Sequence, residues 1–193
     1  MRRISNLSNL RIPHFNSWKT TWYDKDKNYS LLRGDSEKEM LHKLNTLISD
    51  LENKDKNISI VASGDPTFYG ITNYIKSKSV LEIEVIPGLS SFQYLTCKLK
   101  MTWNNAHLGS LHGRSEEFLE QINNSKLSIW LTDKEKNPSA LCKILHEAKI
   151  KCKVVIGENL SYKDEIISEG IPKDFINKSY SSLSVFMVYK FDE

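Results

Sequence analysis

The sequence predicts an α/β protein built as two lobes, and three observations predict it. Short apolar runs alternate with amphipathic stretches, as strands and helices do around a parallel sheet. Only eight glycines occur in 193 residues, and several close an apolar run, where a strand turns into a helix. The alternation breaks once, between residues 101 and 106, where Trp103-Asn104-Asn105 carry no period. That break places an N-terminal α/β domain over residues 1–105 and a C-terminal α/β domain over residues 106–193.

The N-terminal elements follow in order. Ser36 and Glu39 form an S-x-x-E capping box, and Met40, Leu41, Leu44, Leu47, Ile48 and Leu51 then recur at three- and four-residue spacing, which predicts a helix over 36–51. Ile58-Ser59-Ile60-Val61-Ala62-Ser63 reads as a strand stopped by Gly64-Asp65-Pro66. A helix is expected over 67–78, with Phe68, Ile71 and Ile75 on one face. Residues 81–86 read as the next strand, stopped by Pro87-Gly88, and residues 90–99 as a helix.

The C-terminal half repeats the pattern. A strand over 107–111 leads into His112-Gly113-Arg114, and a helix over 116–123 turns Phe118, Leu119 and Ile122 inward. Residues 127–131 form a strand. Pro138 suits the start of a helix over 138–148, with Leu141, Ile144 and Leu145 on its apolar face. A strand over 153–156 ends at Gly157-Glu158-Asn159. Residues 165–168 and 184–189 are later strands, the last placed to close a sheet.

Composition excludes several classes. Charged residues are 26% and hydrophobic ones 39%, ordinary for a globular chain and unlike a disordered tail or coiled coil. No run approaches the ~18 apolar residues of a membrane span. The basic start, Met1-Arg2-Arg3, has no apolar core behind it, so no secretion signal is expected. Three cysteines without a CxxC pair point to neither disulfides nor a metal knuckle, but to a reducing cytoplasm. Cys97 and Cys142, on helices among apolar residues, read as core thiols. The net charge of +3 is spread through mixed runs such as Asp24-Lys25-Asp26-Lys27, a solvated surface rather than a nucleic-acid face. Lysines dominate the cations, and beyond Arg33 the only arginine is Arg114, which suggests a place that needs a planar guanidinium.

The turns carry the candidate chemistry. Gly64 permits a close backbone approach, Pro66 stiffens the turn and Asp65 accepts hydrogen bonds near a cationic group. An ordinary tight turn before a helix needs the same residues. Gly88, Ser90 and Ser91 open a helix whose free amides and hydroxyls suit an anion or a cofactor, although Ser90 would also serve as a plain N-cap. No Ser-His-Asp or Cys-His set is present, so no catalytic residue is assigned.

Four segments then converge. They are Ala62-Ser63-Gly64-Asp65-Pro66-Thr67-Phe68-Tyr69-Gly70, Val85-Ile86-Pro87-Gly88-Leu89-Ser90-Ser91-Phe92-Gln93, Ser110-Leu111-His112-Gly113-Arg114 and Gly157-Glu158-Asn159-Leu160-Ser161-Tyr162. In this order and spacing the chain resembles the tetrapyrrole methylases, in particular those that methylate carbon 5 of a corrin precursor in cobalamin biosynthesis. The Gly-Asp-Pro turn is shared across that superfamily; the other segments are more specific.

The resemblance implies two α/β domains with a cofactor cleft between them, S-adenosylmethionine as methyl donor and a corrin-precursor tetrapyrrole as acceptor. It implies a homodimer, with no nucleic acid and no membrane as partner. Gly64, Asp65, Pro66, Ser90 and Ser91 would hold the cofactor. Thr132, Asn159, Leu160 and Tyr162 would line its adenosine side, Tyr162 as an apolar wall. Arg114 would grip a carboxylate arm of the acceptor bidentately, with His112 beside it. Family members open with an apolar strand and a Gly-x-Gly-Pro-Gly loop, whereas this chain has no glycine before Gly34 and carries Trp18, Trp22 and Tyr23 instead. That departure favours the alternative of a non-catalytic remnant or partner subunit of the same fold; a tetrapyrrole methylase with a different acceptor is a separate alternative. The aromatic stretch Trp18–Tyr23 is expected to cover a sheet edge or form an interface.

Overall fold

The computed structural model describes residues 20–24, 27–32, 42, 45, 46, 49, 58–62, 64–80, 82–111 and 117–191. The chain divides into two compact units, Met1–Ser90 and Ser91–Glu193. The division precedes the helix that begins at Ser91, and the Trp103-Asn104-Asn105 stretch lies inside the second unit. Most of the predicted 36–51 helix, with Ser36 and Glu39, falls outside the described residues; its members 42, 45, 46 and 49 are helical.

The first unit holds a three-stranded antiparallel sheet in the order β2-β1-β3, made of β1 Thr20–Asp24, β2 Lys27–Leu32 and β3 Ile58–Val61. β1 pairs with β3 through Thr21↔Val61, Trp22↔Ile60 and Tyr23↔Ser59, so part of the aromatic stretch lies along one edge of β3. The expected parallel arrangement is corrected here. β1 runs antiparallel to β2, to which a link of only two residues joins it, and it also pairs antiparallel with β3.

The helix expected over 67–78 begins later, as α1 Thr72–Lys78. The delay has a local cause. Asp65 captures the amide and hydroxyl of Thr67, and the Pro66 carbonyl accepts from both the amide and the hydroxyl of Thr72. Those turns use the groups an earlier helical turn would need. The predicted strand over 81–86 is also corrected: residues 82–86 carry no strand pairing among the described residues. Ile83, Glu84, Val85 and Ile86 line a recess with Ile60, Ile71 and Ile75, and Glu82 is exposed.

The second unit is a five-stranded mixed sheet in the order β4-β5-β8-β6-β7. It comprises α2 Ser91–Leu99, β4 His107–Ser110, α3 Phe118–Asn124, β5 Leu127–Leu131, α4 Pro138–Glu147, β6 Cys152–Glu158, β7 Ile166–Gly170 and β8 Ser184–Lys190, with a 3-10 turn at Pro172–Phe175. Only β4 and β5 pair in parallel, joined by α3; every other pairing is antiparallel. β8 does not close an edge but runs through the centre, paired with β5 and β6. Its five consecutive buried residues, Ser184-Val185-Phe186-Met187-Val188, satisfy a strand covered on both faces. Edge strand β7 instead has no buried residue, Ile166 and Glu169 being exposed and the other three half-buried.

Trp130, Phe186, Leu141, Leu145 and Ile156 anchor the core. Trp130 is packed edge-on by Phe118 at 5.1 Å and donates from Nε1 to the Ser128 hydroxyl at 2.9 Å, so its polar atom is satisfied within the core. α4 starts as its sequence predicts, with Pro138 in the first turn, and Asn137 caps it by accepting from the Ala140 amide. Its apolar face is narrower than expected, since Leu141, Cys142 and Leu145 are buried whereas Ile144 is exposed. Cys142 is a core thiol. Cys97 is not: it lies on the solvent side of α2, whose buried face is Phe92, Leu95 and Thr96.

Candidate functional site

In the first unit the turn following β3 and the segment before α2 form one backbone construction. Gly64 takes a left-handed φ of +70°, a conformation that disfavours any Cβ. Gly88 lies so close to the Gly64 carbonyl oxygen that a side chain at 88 would overlap it. Only glycine there lets the 87–90 segment rest on the 64–66 turn. Ser90, buried, sits within the same packing, next to Gly64. The structure thus brings the sequence-predicted Gly64, Asp65 and Ser90 together, and Gly88 enables the contact.

Asp65 is half-buried, and its Oδ1 accepts from the Thr67 amide at 2.7 Å and the Thr67 hydroxyl at 2.6 Å. These bonds, the hydroxyl foremost, hold its carboxyl below the usual carboxylate range. The side chain is thus ionised at neutral pH, and Oδ2 takes no part in those two bonds. A fixed carboxylate at a glycine turn suits a cationic ligand group.

In the second unit the ends of β5 and β6 flank the start of β8. The Thr132 hydroxyl, just past β5, donates to the Ser184 carbonyl at 2.9 Å. The Asn159 amide, just past β6, donates to the neighbouring Leu183 carbonyl at 3.0 Å. Asn159 adopts φ +47°, and its side chain is engaged at both ends: Nδ2 donates to Asp164 at 2.7 Å and Oδ1 accepts from Ser181 at 2.6 Å. The Thr132 hydroxyl proton, Asn159 Nδ2 and Asn159 Oδ1 are therefore each engaged within the protein, which fixes the backbone shape of this loop.

Leu160 is buried and packs over Gly157, where an added Cβ would crowd both Leu160 and Leu95. Tyr162 is half-buried; burial first, then Asp164, pushes its hydroxyl above the usual value, so the ring stays neutral and suits an apolar wall. Ser161, at φ +71°, donates its amide to Glu165 Oε2 at 2.7 Å, and Lys98 of α2 pairs with Glu165 Oε1 at 3.2 Å. Ser91, at the start of α2, is half-buried. His112 and Arg114 lie outside the described residues.

The residues that sequence reasoning missed are Ser181, Asp164 and Glu165, which hold the 158–162 loop by its polar atoms. The serine-dense run Ser179-Tyr180-Ser181-Ser182-Leu183-Ser184 was the available signal. Among the described residues no helix is long and apolar enough to cross a membrane, and no three His, Cys, Asp or Glu side chains cluster as metal ligands.

The family model for Tetrapyrrole (Corrin/Porphyrin) Methylases matches residues 19–171. The chain is 34% identical over 137 residues to the cobalt-precorrin-7 C(5)-methyltransferase of Salmonella typhimurium, covering 70% of this chain and 67% of that one. It is 32% identical over 175 residues to the probable cobalt-precorrin-7 C(5)-methyltransferase of Methanocaldococcus jannaschii, covering 88% and 80%. Among solved structures, the precorrin-6Y methylase of Archaeoglobus fulgidus superposes with a TM-score of 0.58 at 22% identity, over 83% of this chain and 74% of that one.

Proposed function

Since this chain belongs to the tetrapyrrole methylases, we propose that it is a cobalt-precorrin-7 C(5)-methyltransferase of cobalamin biosynthesis, with S-adenosylmethionine as methyl donor. The structural observation that supports it most is the glycine turn at 64–66, held in place by the packing of Gly88 on Gly64 and carrying the ionised Asp65. A fixed carboxylate on such a turn suits the cationic sulfur of that cofactor.

S-adenosylmethionine supplies an already activated methyl group, so the protein's task is alignment rather than strong acid or base catalysis. Gly64, Pro66, Ser90 and Ser91 would present backbone and hydroxyl groups to the cofactor, and Asp65 would face its positive end. Leu160 and Tyr162 would supply an apolar surface for the adenosine, and the backbone at Thr132 and Asn159 its polar partners. Arg114 and His112 would meet the acceptor's carboxylates. The same reading carries a homodimer and a cytoplasmic location, both drawn from the family.

Calorimetry with S-adenosylhomocysteine, followed by methyl transfer to the corrin precursor read as the mass of one added methyl, tests the proposal. Micromolar binding with product formation is expected. Binding without transfer to that acceptor points to a different one. No binding at all favours a non-catalytic subunit of the same fold.

A further inference from the structure

We infer that Ser181 is the positioning residue of the 158–162 loop and through it sets cofactor affinity, an inference that rests on the cofactor reading above. Ser181 is half-buried, and its amide, hydroxyl and carbonyl are all engaged by two segments. Toward the loop, its amide donates to Glu158 Oε2 at 2.7 Å and its hydroxyl donates to Asn159 Oδ1 at 2.6 Å. Toward β8, its hydroxyl accepts from the Leu183 amide at 3.1 Å and its carbonyl accepts from the Ser184 hydroxyl at 2.6 Å.

The consequence falls on Asn159. A left-handed non-glycine residue costs free energy and persists only where its surroundings over-determine it. Asn159 is held by its backbone on Leu183, by Asp164 on one side of its amide and by Ser181 on the other. The next turn depends on it, because the Tyr162 amide donates to the Asn159 carbonyl at 2.9 Å. Removing the Ser181 hydroxyl releases Asn159 Oδ1 and the Leu183 amide together. The path from Ser181 to Leu160 and Tyr162 is thus two hydrogen bonds long, and Ser181 need not touch a ligand to shape the surface they present.

The test compares the full chain with Ser181→Ala, Ser181→Thr and Ser128→Ala. Ser128→Ala is the control, since it strands Trp130 Nε1 inside the core without touching the loop. Amide hydrogen exchange at Asn159 and Tyr162 and S-adenosylhomocysteine affinity are measured alongside the melting temperature. Ser181→Ala is expected to raise exchange at both amides and weaken binding about tenfold, the equivalent of one hydrogen bond. Ser181→Thr, which keeps the hydroxyl, restores both, and Ser128→Ala lowers the melting temperature with affinity unchanged.

Unchanged exchange in Ser181→Ala overturns the inference. So does equal loss of affinity in Ser128→Ala at the same loss of melting temperature, which makes the effect one of general stability. A wild-type chain that binds no S-adenosylhomocysteine overturns the cofactor reading instead. The exchange data then still decide whether Ser181 anchors the loop.

Discussion

Gly88 packs against the carbonyl oxygen of Gly64 closely enough that no side chain fits between them. The two glycines differ in what they tolerate. Gly64 has room for a Cβ, its nearest neighbour at 3.7 Å being the Cα of Ser90, but holds φ at +70°. Gly88 has no positive φ to defend, only a backbone wall.

Alanine substitutions should separate the two. Gly64→Ala pays the left-handed conformation, about 1–2 kcal/mol. Gly88→Ala forces the 87–90 segment off the turn and should cost about 3 kcal/mol, with loss of cofactor binding. Denaturant unfolding of the full chain gives the order. A Gly88→Ala protein as stable as wild type would mean that the contact has no consequence.

Glu165 gives a pH dependence. The Ser161 amide first, then Tyr94 and Lys98, hold its carboxyl below the ordinary value of 4.5. A depressed carboxylate stabilises the fold above its unfolded value and loses that contribution as pH falls through the folded one. The loop at Ser161 should therefore loosen only below the usual glutamate range, and Glu165→Gln should abolish that acid step. The titration of the Glu165 carboxyl carbon by NMR checks the sign; a midpoint at or above 4.5 would contradict it.

The three cysteines should divide by reactivity. Burial pushes the Cys142 thiol up to about 12 and that of Cys152 up to about 11, while Cys97 is exposed. A maleimide at neutral pH is expected to modify Cys97 alone in the folded chain and all three after denaturation. Mass spectrometry counts the labels. Rapid labelling of Cys142 under native conditions would show that the core opens.

Arg114 tests the acceptor. Arg114→Lys keeps the charge and loses the planar fork, which should weaken transition-state stabilisation of methyl transfer by ~1–3 kcal/mol. Cofactor affinity should hardly change. Full activity in the variant would make Arg114 an ordinary surface residue; loss of cofactor binding would move it to the adenosine side.

Local order was legible in the chain. Residues 127–131 form the strand that their apolar run predicts, Pro138 starts α4, and Phe118 and Ile122 turn inward as their spacing requires. The four glycine- and serine-bearing segments identified the family without coordinates. These features depend on neighbours a few residues away, so periodicity and turn chemistry record them.

Sheet order and the fate of side chains depend on contacts distant in sequence, and only the tertiary structure decided them. Nothing in residues 184–190 distinguishes an edge from a centre except uninterrupted burial, which becomes meaningful once β5 and β6 lie on both sides. Residues 82–86 alternate like a strand yet carry no pairing among the described residues, because alternation specifies a face and not a partner. Thr132 and Asn159 lie just past the ends of β5 and β6. Whether their polar atoms point at a ligand or at Ser184, Asp164 and Ser181 is settled by residues up to 52 positions away. Sequence by itself determined which turns exist; the tertiary fold determined what their hydrogen bonds hold, since a donor's partner is fixed by spatial proximity rather than by distance along the chain.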